Sequence, residues 1–189
     1  MTMDKISATD KVEAATKYNT MPADSMGIGG YYTATCHGAD GQLKWTDVIE
    51  NLVVTVGRNF TLDTTLGNVA GGAVVMGLKG TGTAVAADTQ ASHASWLEVG
   101  LANAPTYAGN RPTPSFSAAS AGSKATSSAV SFSITSTGTV AGCFINIGGS
   151  ATKDNTTGTL FSAGDFSSSK SVVSGDTIAV TYTASLTAT

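Results

Sequence analysis

Residues 177–186 read TIAVTYTASL, and residues 130–135 read VSFSIT. In both stretches apolar residues alternate with small or hydroxyl-bearing residues. Successive side chains of a β-strand point to opposite faces of a sheet, so each stretch predicts a strand with one buried face and one solvated face. The predicted buried face includes Ile178, Val180 and Tyr182 in the first stretch, and Val130 and Phe132 in the second. These alternations predict a mainly β protein with antiparallel strands.

Further strands are predicted wherever short apolar or alternating runs lie between turns. The sequence GADG at 38–41 predicts a hairpin turn, because Asp-Gly favours the tight turns that connect antiparallel strands. About eight or nine strands in all fit an antiparallel β-sandwich of jelly-roll size. The other predicted strands cover residues 32–37, 43–54, 72–79, 97–101, 115–119, 138–147, 158–161 and 170–174.

One or two short helices accompany the strands. Residues 53–66 are compatible with a helix or a strand, and Gly67 at the expected stop favours the helix. Asp88 is placed to cap a second helix that runs to Trp96. Residues 1–28 predict an N-terminal extended arm outside a β-sandwich domain of 29–189, with a helix over 10–18. Either a neighbouring subunit or the chain's own domain holds this arm, and we favour the neighbour.

The charge content restricts the possible partners. Charged residues make up only 12% of the chain, about half the usual share, so neutral hydroxyl and small side chains must cover much of the surface. Such a surface suits burial against other protein, because few charges need to lose their water. The ten Lys and Arg residues are scattered, which argues against nucleic-acid binding. No apolar run approaches the roughly 20 residues that span a membrane, and no signal sequence is evident, so we expect synthesis in a cytoplasm.

The sequence favours a protein that is not an enzyme and uses no cofactor. The only histidines, His37 and His93, accompany no nucleophile motif, and the abundant serines alternate along predicted strands. Asp154, Asn155 and Asp165 lie in predicted loops, where such residues either bind metal or stabilise turns. We favour the turns, since no calcium-loop spacing is present.

The cysteines and the large aromatic residues are interpreted as parts of the interior. Cys36 and Cys143 have no metal-type spacing and are predicted to be reduced and buried, although a disulfide between them is possible. The aromatic residues could line a sugar or receptor site, but we favour the core or a subunit interface, where large aromatic side chains contribute most. They are Tyr31, Trp45, Trp96 and Tyr107.

Seven short blocks, in order, resemble a group of virion proteins of tailed bacteriophages. The resemblance extends over about residues 30–186 and leaves out the arm. The blocks are GQLKW at 41–45, ENLVVTVG at 50–57, LDTTL at 62–66, ADTQASHASW at 87–96, NRP at 110–112, GTLFSAGDF at 158–166 and GDTIAVTYT at 175–183.

The resemblance implies a β-sandwich and a structural role in the virion, with no catalytic residues. The expected function is that of a capsid cement or decoration protein on the capsid surface. Its expected partners are the major capsid protein and further copies of itself, as a homotrimer. The alternative is a tail fibre or receptor-binding virion protein, which would present exposed aromatic pockets around Trp96 and Tyr107. A non-viral surface adhesin is a third hypothesis, and it requires export.

Overall fold

The chain is described by a computed structural model that covers residues 26–67 and 69–188. The predicted helix over 10–18 and the predicted arm up to residue 25 lie outside these residues. The prediction of a mainly β protein is confirmed: ten strands form two antiparallel sheets, with one helix. The elements are β1 Met26–His37, β2 Leu43–Glu50, β3 Leu52–Val53, α1 Thr55–Thr65, β4 Val74–Lys79, β5 Glu98–Val99, β6 Ser123–Ala125, β7 Val130–Ser133, β8 Gly138–Ile147, β9 Thr159–Val172 and β10 Thr177–Ala188.

The first sheet is built on the pairing of β1 with β10. The two strands pair without a bulge from Met26 opposite Ala188 to His37 opposite Thr177. The β2 strand pairs with the other edge of β1, while β6 and β7 both pair with β10. The turn at 38–41 joins β1 to β2, as predicted, and Gly41 has the positive φ of 78° that this turn requires. Strand β1 begins at Met26, so it includes the last three residues of the predicted arm, 26–28.

The second sheet has the order β3-β9-β8-β4-β5. The interior between the two sheets is apolar, and the alternation read from the sequence is confirmed there. Phe132, Ile178 and Val180 of the first sheet are buried against Met76 and Ile145 of the second. This face-to-face packing makes the architecture a two-layer sandwich. The jelly-roll connectivity stays a prediction.

A polar contact links the two layers in the middle of the core. The Tyr32 hydroxyl lies 2.7 Å from the Ser162 Oγ atom, and both groups are buried. Burial is the main cause that raises the pKa of Tyr32 well above its usual value. The Cys36 and Cys143 side chains are also buried in this core and are not joined to each other, as predicted.

The outer face of the second sheet is covered, which explains why β8 is buried on both sides. A second apolar cluster on this face contains Phe144 of β8, Leu160 of β9 and Trp96 of the loop that follows β4. The α1 helix also packs on β9. Gly57 makes this packing possible, because a Cβ atom at Gly57 would lie 2.2 Å from the Phe161 carbonyl oxygen.

Gly57→Ala tests how closely α1 approaches β9. Alanine forms helices better than glycine by about 1 kcal/mol, so helix propensity alone predicts a more stable protein. The contact with a backbone oxygen instead predicts a loss of about 1–3 kcal/mol, because neither strand nor helix can move freely. Urea denaturation measures the difference. Gly71→Ala is the matched control, since nothing lies within 4 Å of that site, and a stabilised Gly57→Ala variant would contradict the packing argument.

The helix predicted from Asp88 to Trp96 is wrong. These residues form turns and one isolated bridge between Thr89 and Ser92. The Asp88 carboxylate accepts hydrogen bonds from the Val85 N–H (2.9 Å) and from the Trp96 indole N–H (2.9 Å). It therefore closes a loop over the second sheet and does not cap a helix. Burial of the indole outweighs the helix propensity of the intervening alanines.

Several strand boundaries also differ from the predictions. The strands expected at 158–161 and 170–174 are one strand, β9, whose polar middle at Ser167–Ser169 is exposed. The strand expected at 115–119 is an isolated bridge between Phe116 and Thr126, and β6 was not predicted. The strand expected to reach Val54 ends at Glu50 and is followed by β3. The helix over 53–66 is confirmed as α1.

Two carboxylates form ion pairs at the edges of the sandwich. Asp47, on the inner side of the edge strand β2, contacts Lys170 of β9 (2.9 Å) and accepts hydrogen bonds from Ser167. An inward-pointing charge on an edge strand also discourages further strand pairing. Asp176 pairs in the same way with Lys44. Burial acts to raise the pKa of both carboxyl groups, but these ionic and hydrogen-bonding partners outweigh it and leave each pKa lowered.

Acid should therefore destabilise the fold through these two groups. Each carboxyl group has a lower pKa in the folded state than in the unfolded state, where its pKa is near 3.9. Such a group stabilises the fold at pH values above the unfolded-state pKa, and this stability is lost as the pH falls through the folded-state pKa. We expect the urea midpoint to fall steeply below about pH 4. Asp47→Asn should lower stability at pH 7 and reduce the slope in acid, whereas an unchanged slope would contradict the assignment. Urea titrations between pH 2 and 7 measure both effects.

Candidate functional site

A cleft lies where the loops around β5 meet the loop between β8 and β9. Its volume is about 530 Å³. One wall is the segment around Gln90 and His93, and the opposite wall is formed by Asp154 and Asn155. Short alanine and serine side chains in the first wall leave this space open. Because of its volume and the polar groups on its walls, we consider this cleft first as a candidate site.

Glu98 lines the cleft and forms a buried ion pair with Arg111. The Arg111 guanidinium donates two hydrogen bonds to the Glu98 carboxylate, one from Nε at 2.8 Å and one from Nη2. Arg111 also donates to the carbonyl oxygens of Ser150 (3.0 Å) and Asn155 (2.9 Å). Because both charged groups are buried and all these bonds are made, Arg111 fastens three separate segments together.

A second buried cation lies beside the cleft. Lys79 of β4 is fully buried and contacts the Asp165 carboxylate of β9. Its ammonium group donates to the Gly82 carbonyl and lies 5.6 Å from the centre of the Trp96 ring. Asp165 also accepts a hydrogen bond from the Ala84 N–H. This pair therefore anchors the loop that covers the second sheet, which is a structural task.

The third buried cation, Lys153, serves the loop around Tyr107. Its ammonium donates to the Tyr107 carbonyl oxygen at 2.6 Å and lies 4.3 Å from the centre of the Tyr107 ring. Burial lowers the pKa of Lys153, while the nearby Glu98 and Asp154 carboxylates act to raise it. Burial likewise raises the pKa of the Tyr107 hydroxyl far above its usual range.

Two of the three residues considered as metal ligands, Asp154 and Asn155, stabilise turns, whereas Asp165 lies in β9 and not in the predicted loop. Asp154 accepts from the Ala102 N–H, and the Asn155 side chain accepts from the Thr157 N–H and hydroxyl. Asp165 is paired with Lys79, as described above. In the described ranges, no group of three or more His, Cys, Asp or Glu residues is arranged to hold a metal ion.

The two histidines lie in different parts of the fold, His37 at the end of a strand and His93 in the loop between β4 and β5. His37 ends β1 on the outer face of the first sheet, whereas His93 stacks on Trp96 with ring centres 4.0 Å apart. The His93 Nδ1 atom is 2.9 Å from the Trp96 carbonyl oxygen. Among the described residues, neither imidazole is hydrogen-bonded to a hydroxyl, thiol or carboxylate group. The cleft thus offers polar contacts but no assembled nucleophile and base.

The aromatic residues are mainly core residues, as favoured from the sequence. Trp96 and Tyr107 are buried, and Trp45 packs partly buried against Phe166 with ring centres 5.5 Å apart. Tyr31 differs, since it is 44% exposed on the outer face of the first sheet. Trp96 contributes to the wall of the cleft, but its side chain is only 1% exposed, and that of Tyr107 is only 3% exposed.

The burial of four charged residues was not predicted from the sequence: Lys79, Glu98, Arg111 and Lys153. Charged residues are normally placed at the surface. A weak signal was available in Leu97-Glu98-Val99, where a charge interrupts an apolar run in a chain with few charges. The pairing of Glu98 with Arg111 depends on a loop crossing that no local pattern encodes.

The outer face of the first sheet is the most distinctive surface. Unlike the second sheet, it is covered by neither helix nor loop in the described part of the chain, and its central strands alternate in hydroxyl residues. Thr33 lies opposite Thr181, and Tyr31 lies opposite Thr183. Within the described residues, its only carboxylate is Glu50 at one corner. Lys44, at the corner of β2, adds one cation, which is paired with Asp176. Other outward positions include Thr35, His37, Thr46, Val48, Ser123, Ala125, Ser131, Ser133, Thr177, Ala179, Ser185 and Thr187.

No helix of the described residues has the length and apolar character needed to cross a bilayer. Comparisons with protein-family models, with curated proteins and with solved structures found no match for this chain.

Proposed function

We propose that this chain is a structural protein of a bacteriophage virion that decorates the capsid. In this role it binds across neighbouring major capsid protein subunits and stabilises the head, without catalysing a reaction. The observation that supports the proposal best is the uncovered outer face of the first sheet, which is broad, hydroxyl-rich and nearly free of charge. The resemblance of seven sequence blocks to virion proteins supplies the identity of the partner.

The physical argument concerns the cost of removing water from this face. Buried charges lose several kcal/mol of hydration unless they are paired, whereas threonine and serine hydroxyls on a flat sheet need only one or two hydrogen bonds each. Exposed Tyr31 and Val48 add apolar contact area on the same face. The face is therefore suited to lie on another protein, and the rigid two-layer sandwich behind it keeps its shape.

Many copies on one shell would add their effects. A contact that is weak for one molecule becomes strong when neighbouring copies are held together, because later contacts form at high effective concentration. A homotrimer placed where capsid subunits meet would provide this arrangement. The trimer and the position on the head are parts of the proposal.

The alternative, a tail fibre or receptor-binding protein, has less support. It relied on exposed aromatic pockets, and both Trp96 and Tyr107 are buried. Immunogold labelling of virions from the virus that encodes the chain separates the two functions. Label over the whole head supports decoration, and label confined to the tail supports the alternative.

Charge placed in the centre of the outer face should weaken binding to capsids. The double variant Thr33→Glu and Thr181→Glu places two carboxylates side by side, because these residues are opposite each other in the register. Binding to the capsid would then have to remove water from both carboxylates or bring them close to groups that repel them. We expect binding to undecorated heads to weaken at least about tenfold, which corresponds to about 1.4 kcal/mol. Co-sedimentation with heads measures this.

The matched control is Ser169→Glu, an added charge at an exposed serine of β9 in the other sheet. This variant should bind like the unmodified protein. Equal binding by the double variant, with its fold verified by circular dichroism, would show that the outer face does not contact the capsid.

A further inference from the structure

The cleft between the loops around β5 and the loop between β8 and β9 has no part in the proposed function. It is built from loops of the second sheet, whereas the proposed capsid contact is the outer face of the first sheet. Its volume of about 530 Å³ lies in the range of sites that bind small molecules, about 300–1,000 Å³. Ala91, Ala94 and Ala102 line it with short side chains, so room for a ligand remains between the polar groups of the two walls.

Three polar side chains of the cleft are fixed by hydrogen bonds and still have a polar atom without a partner among the described residues. Asp154 accepts a backbone N–H of the facing loop through Oδ2 (2.9 Å), which leaves Oδ1. The Asn155 Oδ1 atom accepts from Thr157, which leaves the Nδ2 donor. The Asn103 Nδ2 atom donates to a carbonyl oxygen of β5 (2.9 Å), which leaves Oδ1. Because these groups are already held in place, a ligand that binds them orders little else.

A buried amide in the facing wall lacks one of its partners. Gln90 is only 2% exposed, and its Nε2 atom donates to the Asn155 carbonyl oxygen (3.3 Å). Within the described ranges, its Oε1 atom receives no hydrogen bond. A buried acceptor without a donor destabilises a protein. A ligand hydroxyl that reaches this amide would therefore relieve a deficit that the protein alone leaves.

The His93 imidazole adds a flat surface and a further acceptor to the same wall. Its Nδ1 atom faces the Trp96 carbonyl oxygen, which can only accept, so the neutral ring carries its hydrogen on Nδ1 and presents Nε2 as an acceptor. One face of the ring stacks on the Trp96 indole, with ring centres 4.0 Å apart. His93 is partly exposed and lines the cleft, so its other face can meet the C–H groups of a ligand.

We propose that this cleft binds a small neutral saccharide. Every sugar hydroxyl both donates and accepts, and the cleft offers both kinds of partner. The acceptors are the free oxygens of Asn103 and Asp154, the Gln90 amide oxygen and the His93 imidazole, and the donor is the Asn155 amide. The inference does not depend on the proposed function, since the cleft and the outer face of the first sheet are separate surfaces.

The charges of the cleft argue for a neutral ligand. Glu98 is neutralised by Arg111, whereas Asp154 has no ion-pair partner among the described residues. The cleft is therefore negative, and an anionic sugar would be repelled. A lysine or arginine side chain of another protein would pair with Asp154, but it carries no acceptor for the Asn155 amide. A hydroxyl-bearing ligand satisfies both.

A nuclear magnetic resonance titration of the full, isotope-labelled chain tests the proposal. The neutral probes are maltose, cellobiose, lactose and N,N′-diacetylchitobiose, and an array of neutral glycans extends the panel. Glucuronate and butylammonium are the charged probes. We expect at least one neutral saccharide to shift the backbone amide resonances of residues 90–94 and 154–156 saturably, with a Kd in the millimolar range or below. Glucuronate should bind at least about tenfold more weakly.

Two variants with one matched control locate the site. Ala94→Trp should abolish these shifts, because the indole fills the cleft from an exposed position in its wall. Ala118→Trp adds the same bulk at an exposed alanine outside the cleft and should bind like the unmodified protein. Asp154→Asn preserves the shape and tolerates the positive φ of 60° at this position, and it should weaken binding at least about tenfold through loss of a charged acceptor.

Several results would overturn the proposal. They are the absence of saturable shifts with every neutral saccharide, saturable shifts with butylammonium alone, and binding of glucuronate as tight as that of the neutral sugars. Unchanged binding by Ala94→Trp or by Asp154→Asn, with the fold verified by circular dichroism, would overturn it as well.

Discussion

Replacement of Arg111 by alanine should destabilise the protein by about 3–5 kcal/mol, the usual loss when one partner of a buried ion pair is removed. The variant leaves the buried Glu98 carboxylate without its cation and leaves the Ser150 and Asn155 carbonyl oxygens without their donor. Most single domains have a total stability of only about 5–15 kcal/mol, so the variant should be close to unfolded at 37 °C. Urea denaturation at pH 7 measures the loss.

Two comparisons establish that the loss comes from the broken pair. Lys124→Ala removes an exposed cation that donates to a carbonyl oxygen and should change stability by less than about 0.5 kcal/mol. The double variant Arg111→Met and Glu98→Met removes both charges and should be more stable than Arg111→Ala alone, because no unpaired charge remains. A loss below about 1 kcal/mol for Arg111→Ala would show that Glu98 is hydrated and not buried as described.

Trp96→Ala should cost about 3–5 kcal/mol, the usual range for removal of a large buried aromatic side chain. The indole fills the second apolar cluster against Phe144, and its N–H group satisfies the Asp88 carboxylate. Its loss therefore leaves a cavity and a buried Asp88 carboxylate that keeps the hydrogen bond from the Val85 N–H but loses the one from the indole. Thermal and urea denaturation measure the loss of stability. Limited proteolysis should show in addition that the segment around residues 84–96 has become exposed.

The matched variant is Tyr31→Ala, which removes an aromatic side chain that is 44% exposed on the outer face. It should lose less than about 1 kcal/mol of stability. If Tyr31→Ala weakens capsid binding while the fold persists, the outer face takes part in binding. If Trp96→Ala leaves stability unchanged, the interpretation of Trp96 as a core residue is wrong.

The strands that follow a strict alternation could be predicted from the sequence, because burial of one face imposes a period of two. Residues 130–133 and 177–182 are the best examples, and both have the expected buried positions. The helix at 53–66 was also predictable, since Gly67 ends it with a positive φ of 89°. These elements carry their own local signals.

The loops were not predictable, because long-range contacts determine them. Asp88 favours a helix cap when its sequence neighbours alone are considered, yet it bonds to an indole eight residues away. Arg111 and Glu98 meet only because the loop after β5 returns beneath the loop between β8 and β9. The alternation of hydroxyl residues made the composition of the outer face of the first sheet predictable. The sequence did not predict that no helix or loop among the described residues packs on this face.

The pairing of β1 with β10 has a consequence for synthesis of the protein. The first strand of the domain and its last strand are neighbours over their full lengths, and β10 also carries the pairing of β6 and β7. The ribosome synthesises β10 after the other described strands. During translation, β1, β6 and β7 therefore lack the strand with which each of them pairs. Productive folding of this sheet must therefore follow the synthesis of β10. Many of its contacts join distant parts of the chain, and a topology of this kind folds slowly. Chaperones that shield unpaired strands would be most useful in that interval.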